Sequence, residues 1–137
     1  MSILTICDET YAVVKLTATA GDAIRQMVDK RTGAAAVLDD NRIVAGIFTE
    51  RDVLQKLALD SRKPADVPVR EVMTTPVVLA TKDITAAEAL AVMVDAHHRH
   101  LPIVDDDGHL LGMLSMRHVL QAKIDELTGQ LHKVQHA

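Results

Sequence analysis

The chain has 137 residues, nearly half hydrophobic and a quarter charged, enough for one compact domain or two small interlocked halves. Fifteen basic against nineteen acidic side chains give a net charge of −4. That balance argues against nucleic acid as a partner, since phosphate contacts need a basic surface. Cys7 stands alone, so no internal disulfide is possible.

The opening "MSILTICDETY" lacks the basic start and long apolar run of a signal peptide. No stretch approaches the ~20 apolar residues that span a bilayer. These features read as a soluble, cytoplasmic protein with no membrane partner. Tyr11 and Phe48 are the only aromatic residues, so the core must be built from Val, Leu, Ile, Ala and Met.

Taken in order, "YAVVKL" (11–16) reads as a strand, and Thr19 to about Lys30 as a helix with apolar residues at Ala20, Ala23, Ile24, Met27 and Val28. "AAAVL" (34–38) and "RIVAGIF" (42–48) are strand-like runs around an acidic turn, and "TERDVLQKLAL" (49–59) is helical. "SRKPADVP" (61–68), with two prolines, reads as a connector. The same order then returns: a strand at "PVVLA", a helix at about 85–96, strands near 100–104 and 109–114, and a helix from about 115.

The return keeps a fixed offset of 66 residues. Thr19 falls on Thr85, Ala23 on Ala89, Gly46 on Gly112, Arg51 on Arg117, and Val53-Leu54-Gln55 on Val119-Leu120-Gln121. One such unit leaves an apolar sheet face exposed, and two can bury those faces together. The expected fold is α/β (α+β): two repeats related by a pseudo-twofold axis, each a small sheet with two helices. Residues 1–60 form the first repeat, 61–70 the connector and 71–137 the second repeat with an extended C-terminal helix. On that helix Leu120, Ile124, Leu127, Leu131 and Val134 form an apolar stripe, suited to dimer packing or to covering its own core.

"GIFTERD" (46–52) runs from strand into helix, with Thr49 at the N-cap and Asp52 three residues on. This spacing has a purely local use as a capping box, and "TAGD" (19–22) and "TAAE" (85–88) repeat it. It also has a functional use. A hydroxyl and a carboxylate on one helical turn point the same way, beside N–H groups that favour an anion. The carboxylate can accept from the vicinal hydroxyls of a ribose.

The tandem "GIFTERD", "RHLPIVDDDGHLLGMLS" and "VREVMTTPVVLA" resemble a pair of CBS (cystathionine β-synthase) domains, a Bateman module, over nearly the whole chain. The family motif is Gly, a hydrophobic residue, any residue, Thr or Ser, two more residues, then Asp; the first copy satisfies it in full. The resemblance implies two clefts between the halves that commonly hold AMP, ADP, ATP or S-adenosylmethionine, and sometimes NAD. It implies Asp52 on the ribose hydroxyls and Thr49 on the ribose–phosphate side. It further implies phosphates met by Arg99 and His100 of the other repeat with help from Arg51 and Arg117, and adenine near Pro76 and Val77.

The second copy, "GMLSMRH" (112–118), keeps a hydroxyl at Ser115 but places His118 where the acid belongs. Gly33 and Ala34 stand where the second repeat has Arg99 and His100, so that cleft is expected to lose its cations too. One competent site per chain is the expectation, with the other empty, weak or specialised; alternatively, His118 simply faces solvent.

"HHRH" (97–100) straddles a helix-to-strand junction without the converging ligands a metal needs, and "DDDGH" (105–109) lacks the length and terminal Glu of a calcium loop. No metal, required cofactor or catalytic residue is expected. The reading is a non-enzymatic, homodimeric sensor of an adenosyl nucleotide, acting on a separate protein partner. The alternatives are a scaffold that binds no ligand and, with least support, a nucleotide-hydrolysing enzyme using Glu50.

Overall fold

The computed structural model describes residues 2–8 and 10–136, with side chains through residue 129. Strand β1 (Ala12–Lys15) is followed by α1 (Ala20–Lys30), β2 (Ala34–Leu38), β3 (Val44–Thr49) and a first helical turn α2 (Glu50–Asp52). That turn continues as a π-helix over Val53–Leu57, and α3 (Val69–Val72) then leads into the second half. There β4 (Ala80–Thr81), α4 (Ala86–Ala96), β5 (His100–Val104), β6 (Leu110–Ser115) and α5 (Met116–His136) follow. Each half has one three-stranded sheet, ordered β1-β2-β3 and β4-β5-β6, with the first pair parallel and the second antiparallel.

The offset seen in the sequence is physical. Helices α1 and α4, and both hairpins, have bounds 66 residues apart. Thr19 and Thr85 each close a capping box, with Asp22 and Glu88 accepting in return from the cap N–H. Those bonds hold both carboxyls below the usual carboxylate range. Both helices end on a left-handed residue, Arg31 (φ 53°) and His97 (φ 57°). Of the expected "PVVLA" strand (76–80) only Ala80 pairs, in the two-residue strand Ala80–Thr81, so the second sheet has the shorter parallel edge.

Ala12, Ala20, Ala23, Ala35, Val37 and Phe48 form the core of the first half, and Ala89, Met93, Leu101, Ile103, Leu114 and Val119 that of the second. Fully burying a side chain such as Phe48 contributes about 1.5–3 kcal/mol. A third cluster, Ala34, Ala36, Ile47 and Met113, draws on both sheets and seals the halves together. Beside it Ile43 bridges His109, its own image under the 66-residue offset, which marks the pseudo-twofold axis.

Packing does not follow a cut at residues 61–70. Val67, Val69 and Val72 belong to the first core, while Ile3, Ile6 and Cys7 pack with the second. The leading segments are exchanged: Thr74 bridges Ile47 of β3, and Asp8 bridges Met113 of β6. On α5, Leu120, Ile124 and Leu127 are exposed, so this part of the stripe does not cover its own core; Leu131 and Val134 lie outside the described side chains.

Candidate functional site: a groove between the two halves

The motif glycine has a steric reason. A Cβ at Gly46 would meet Met73 Sδ at 2.5 Å, and one at Gly112 would meet Cys7 Cβ at 3.1 Å. Each glycine lets a leading segment cross its strand, and the crossing sets the next polar residue beside the helix start. In the first half that residue is Thr74; in the second it is Asp8.

At the start of α2 the local reading of the motif holds. Thr49 Oγ1 accepts from the Asp52 N–H at 3.3 Å, and Asp52 Oδ2 accepts from the Thr49 N–H at 3.0 Å. Asp52 is also the one buried charged side chain among the described residues. It is fully bonded: Oδ2 also accepts from the Thr49 hydroxyl at 3.2 Å, while Oδ1 accepts from Thr74 Oγ1 at 2.8 Å and Lys56 Nζ at 2.9 Å.

The same residues line a groove of about 620 Å³ that runs between the halves. Thr49, Glu50, Arg51, Asp52, Lys56 and Thr74 come from one side, and His97, His98, Arg99 and His100 from the other. Of the residues expected at one site, Thr49, Arg51, Asp52, Arg99 and His100 are therefore brought together. Arg51 does more than line the wall: its guanidinium donates to the His97 carbonyl at 2.9 Å, tying α2 to the end of α4. His100 is largely desolvated, and burial pushes its pKa below the usual 6.5 despite Glu50 and Asp8 nearby, so neutral imidazole is favoured.

Three expected positions fall elsewhere. Pro76 and Val77 do not line the groove; Thr74 ends its reach along that segment, and Val77 packs against the cluster that joins the sheets. Arg117 lines the other cleft, because the pseudo-twofold carries the image of Arg51 to the opposite side.

That second cleft, about 940 Å³, is wider than its sequence suggests and keeps cations. Gly33 and Ala34 supply none, but Arg31, Arg99 and Arg117 line it, since the left-handed turn after α1 returns Arg31 to its wall. His118 does not simply face solvent. Ser115 Oγ lies 2.6 Å from His118 Nδ1 and accepts from the His118 N–H at 3.1 Å. On the far side of the ring, His118 Nε2 lies 3.6 Å from Asp8 Oδ1. The contact is too long for a hydrogen bond, and the hydroxyl is spent as a cap, so this is a polar cap rather than an activated nucleophile. Acid and partner have traded places: Asp52 is on the helix against Thr74, whereas Asp8 is on the leading segment against His118.

Thr74, Lys56, Asp8 and Arg31 were not read as site residues from the sequence. Arg31 and Lys56 had a usable signal, as cations one position past α1 and one turn past Asp52. Thr74 and Asp8 also share the 66-residue offset, although no matching letters mark it. Asp105, Asp107 and His109 place ligand atoms within 4.8 Å of one another. Asp105 Oδ1, however, accepts from the N–H groups of Asp107 and His109, as Asp39 Oδ1 does from Asn41 and Ile43. The shared pattern is that of a hairpin turn.

Among the described residues no helix is long and apolar enough to cross a membrane. The model of the CBS domain matches the chain twice, over residues 5–59 and 69–125. The chain is 36% identical over 121 residues to an uncharacterised 17.7 kDa protein of Acidianus ambivalens, covering 88% of this chain and 72% of that one. It is 30% identical over 120 residues to the mitochondrial CBS domain-containing protein CBSX3 of Arabidopsis thaliana, covering 85% of this chain and 58% of that protein. A CBS-domain containing protein from Agrobacterium tumefaciens superposes with a TM-score of 0.78 at 26% identity, over 90% of this chain and 99% of that one. With two matched segments, two interleaved sheets and a motif turn at each helix start, the chain belongs to the CBS domain family of regulatory modules and carries the domain as a tandem pair.

Proposed function

We propose that the chain senses an adenosyl nucleotide in the Asp52 groove and transmits its occupancy to a separate protein. AMP, ADP or ATP fits better than S-adenosylmethionine, because the groove sets the Arg99 cation opposite its acid, where a phosphate can meet it; NAD, which also carries phosphates, is the bulkier alternative. The observation that carries the reading is that Asp52 of one repeat and Arg99 of the other line one groove. Asp52 and Thr49 would hold the sugar, Arg99 and His100 the phosphates, and Ile47 and Leu54 offer apolar surface to the base. Val28 and Leu54 are exposed together with their images Val94 and Leu120, and this paired apolar set supports a homodimer.

Thermal shift with AMP, ADP, ATP, S-adenosylmethionine and NAD tests the reading. A ligand at 100 times its Kd stabilises by about 2.7 kcal/mol, which is several degrees. Asp52→Ala should abolish the shift and His118→Ala should keep it. No shift with any of the five at millimolar concentration would leave the second reading, a scaffold. The saturated bonding of Asp52 supports that one, because a carboxylate with every acceptor site filled suffices as a structural cap.

A further inference from the structure

A carboxylate offers about four acceptor sites, and Asp52 uses four: the Thr49 N–H, the Thr49 hydroxyl, the Thr74 hydroxyl and the Lys56 ammonium. A sugar diol can reach this acid only if a donor leaves. The Thr49 N–H is fixed by the helix cap, and the Thr49 hydroxyl oxygen is anchored there by the Asp52 N–H. The Thr74 backbone is pinned by paired bonds to Ile47, at 2.7 and 3.1 Å, so its short side chain can take the hydroxyl from Asp52 only by rotation about one bond. Lys56 is the movable one: its side chain is 39% exposed, on a four-carbon stem.

Two further observations single it out. The image of Lys56 in the second half is Ala122, so the fold of a repeat does not require a cation there. Lys56 also sits in the π-helical turn Val53–Leu57, where the image stretch in α5 is regular α-helix. Such wide turns are often found at functional sites. From this position Nζ reaches Asp52, the Met73 carbonyl at 3.2 Å and the open groove.

We propose that Lys56 is a gate on the Asp52 groove and selects phosphorylated nucleosides over bare ones. Its ammonium competes with the sugar hydroxyls for Asp52 Oδ1. A nucleotide displaces it and receives it on a phosphate; a nucleoside displaces it and offers nothing in exchange. The gate rests on the reading of this groove as a nucleotide site.

Calorimetric titration of the full chain with AMP and with adenosine tests it, using wild type, Lys56→Met and Lys56→Gln. Wild type should prefer AMP by about tenfold. In Lys56→Met adenosine should bind more tightly than to wild type and AMP more weakly, collapsing the preference roughly fivefold or more. Lys56→Gln keeps a neutral donor near Asp52 and should show the same direction, which provides a reading if the Met variant fails to fold. An unchanged preference overturns the gate. Weaker AMP with unmoved adenosine also overturns it, since Lys56 would then be a phosphate contact only. If wild type binds neither compound, the nucleotide reading falls and the gate with it; if wild type binds AMP and the ratio does not move, the gate alone falls.

Discussion

The Arg51 guanidinium donates to the carbonyl of His97 across 2.9 Å, joining residues 46 apart in sequence. It ties the two walls of the groove together and satisfies a carbonyl at the end of α4, where cations are favoured. Arg51→Met removes the tie and keeps most of the stem. The bond is exposed, so the loss should be about 1 kcal/mol or less, read as a lower urea midpoint with unchanged slope.

Gly46 and Gly112 should respond unequally to alanine. A methyl at 46 enters the thioether of Met73, which can shift its flexible chain; one at 112 presses on Cys7 Cβ, next to backbone. Both should destabilise by about 1–3 kcal/mol, with Gly46→Ala at the upper end, because Met73 must move whereas Cys7 need give only slightly. Paired chemical denaturation curves would show the order.

His100 makes stability depend on pH. Its folded pKa lies below the unfolded value near 6.5, chiefly because burial disfavours the cation; Asp8, Glu50, His118 and Arg99 are the charged or titratable groups around it. Below 6.5 the unfolded chain therefore binds more protons than the folded one, and this contribution to stability, complete above 6.5, is lost as pH falls. His100→Gln should flatten the fall in melting temperature between pH 7 and 5.

Cys7 should be slow to alkylate. Burial first, and the Asp8 charge second, push its thiol up to about 11, so little thiolate exists at neutral pH. Iodoacetamide at pH 7.5 should modify the native protein far more slowly than the urea-unfolded chain.

The traded acid in the second cleft can be traded back. His118→Asp alone sets a new carboxylate against Asp8 and should cost about 1–2 kcal/mol through like-charge repulsion. Adding Asp8→Thr recreates the Thr74–Asp52 chemistry and should recover most of that loss. Under the proposed function the double variant should titrate with two AMP per chain where wild type takes one.

Much of this was legible because it is local or repeated. The caps at Thr19, Thr49 and Thr85 span three residues, so their chemistry is written in adjacent letters. The 66-residue offset carried both hairpins and their turns. The exchange of leading segments was not legible, because Asp8 meets Met113 and Thr74 meets Ile47 through backbone bonds that leave no side-chain signature. Arg117 lines the other cleft for a related reason: images under a twofold face opposite clefts, so a residue matching Arg51 in sequence is its counterpart in space and not its neighbour. The bonds that fill Asp52 were hidden because spacing reveals which groups meet and not how many acceptor sites they use.

The crossed leading segments make the pair hard to take apart. A protease nick between Ser61 and Asp66 would leave Val67, Val69 and Val72 seated in the first core while still attached to the second polypeptide. The two fragments should elute as one particle under native conditions and separate only in denaturant, so a break in the connector would not by itself free either half.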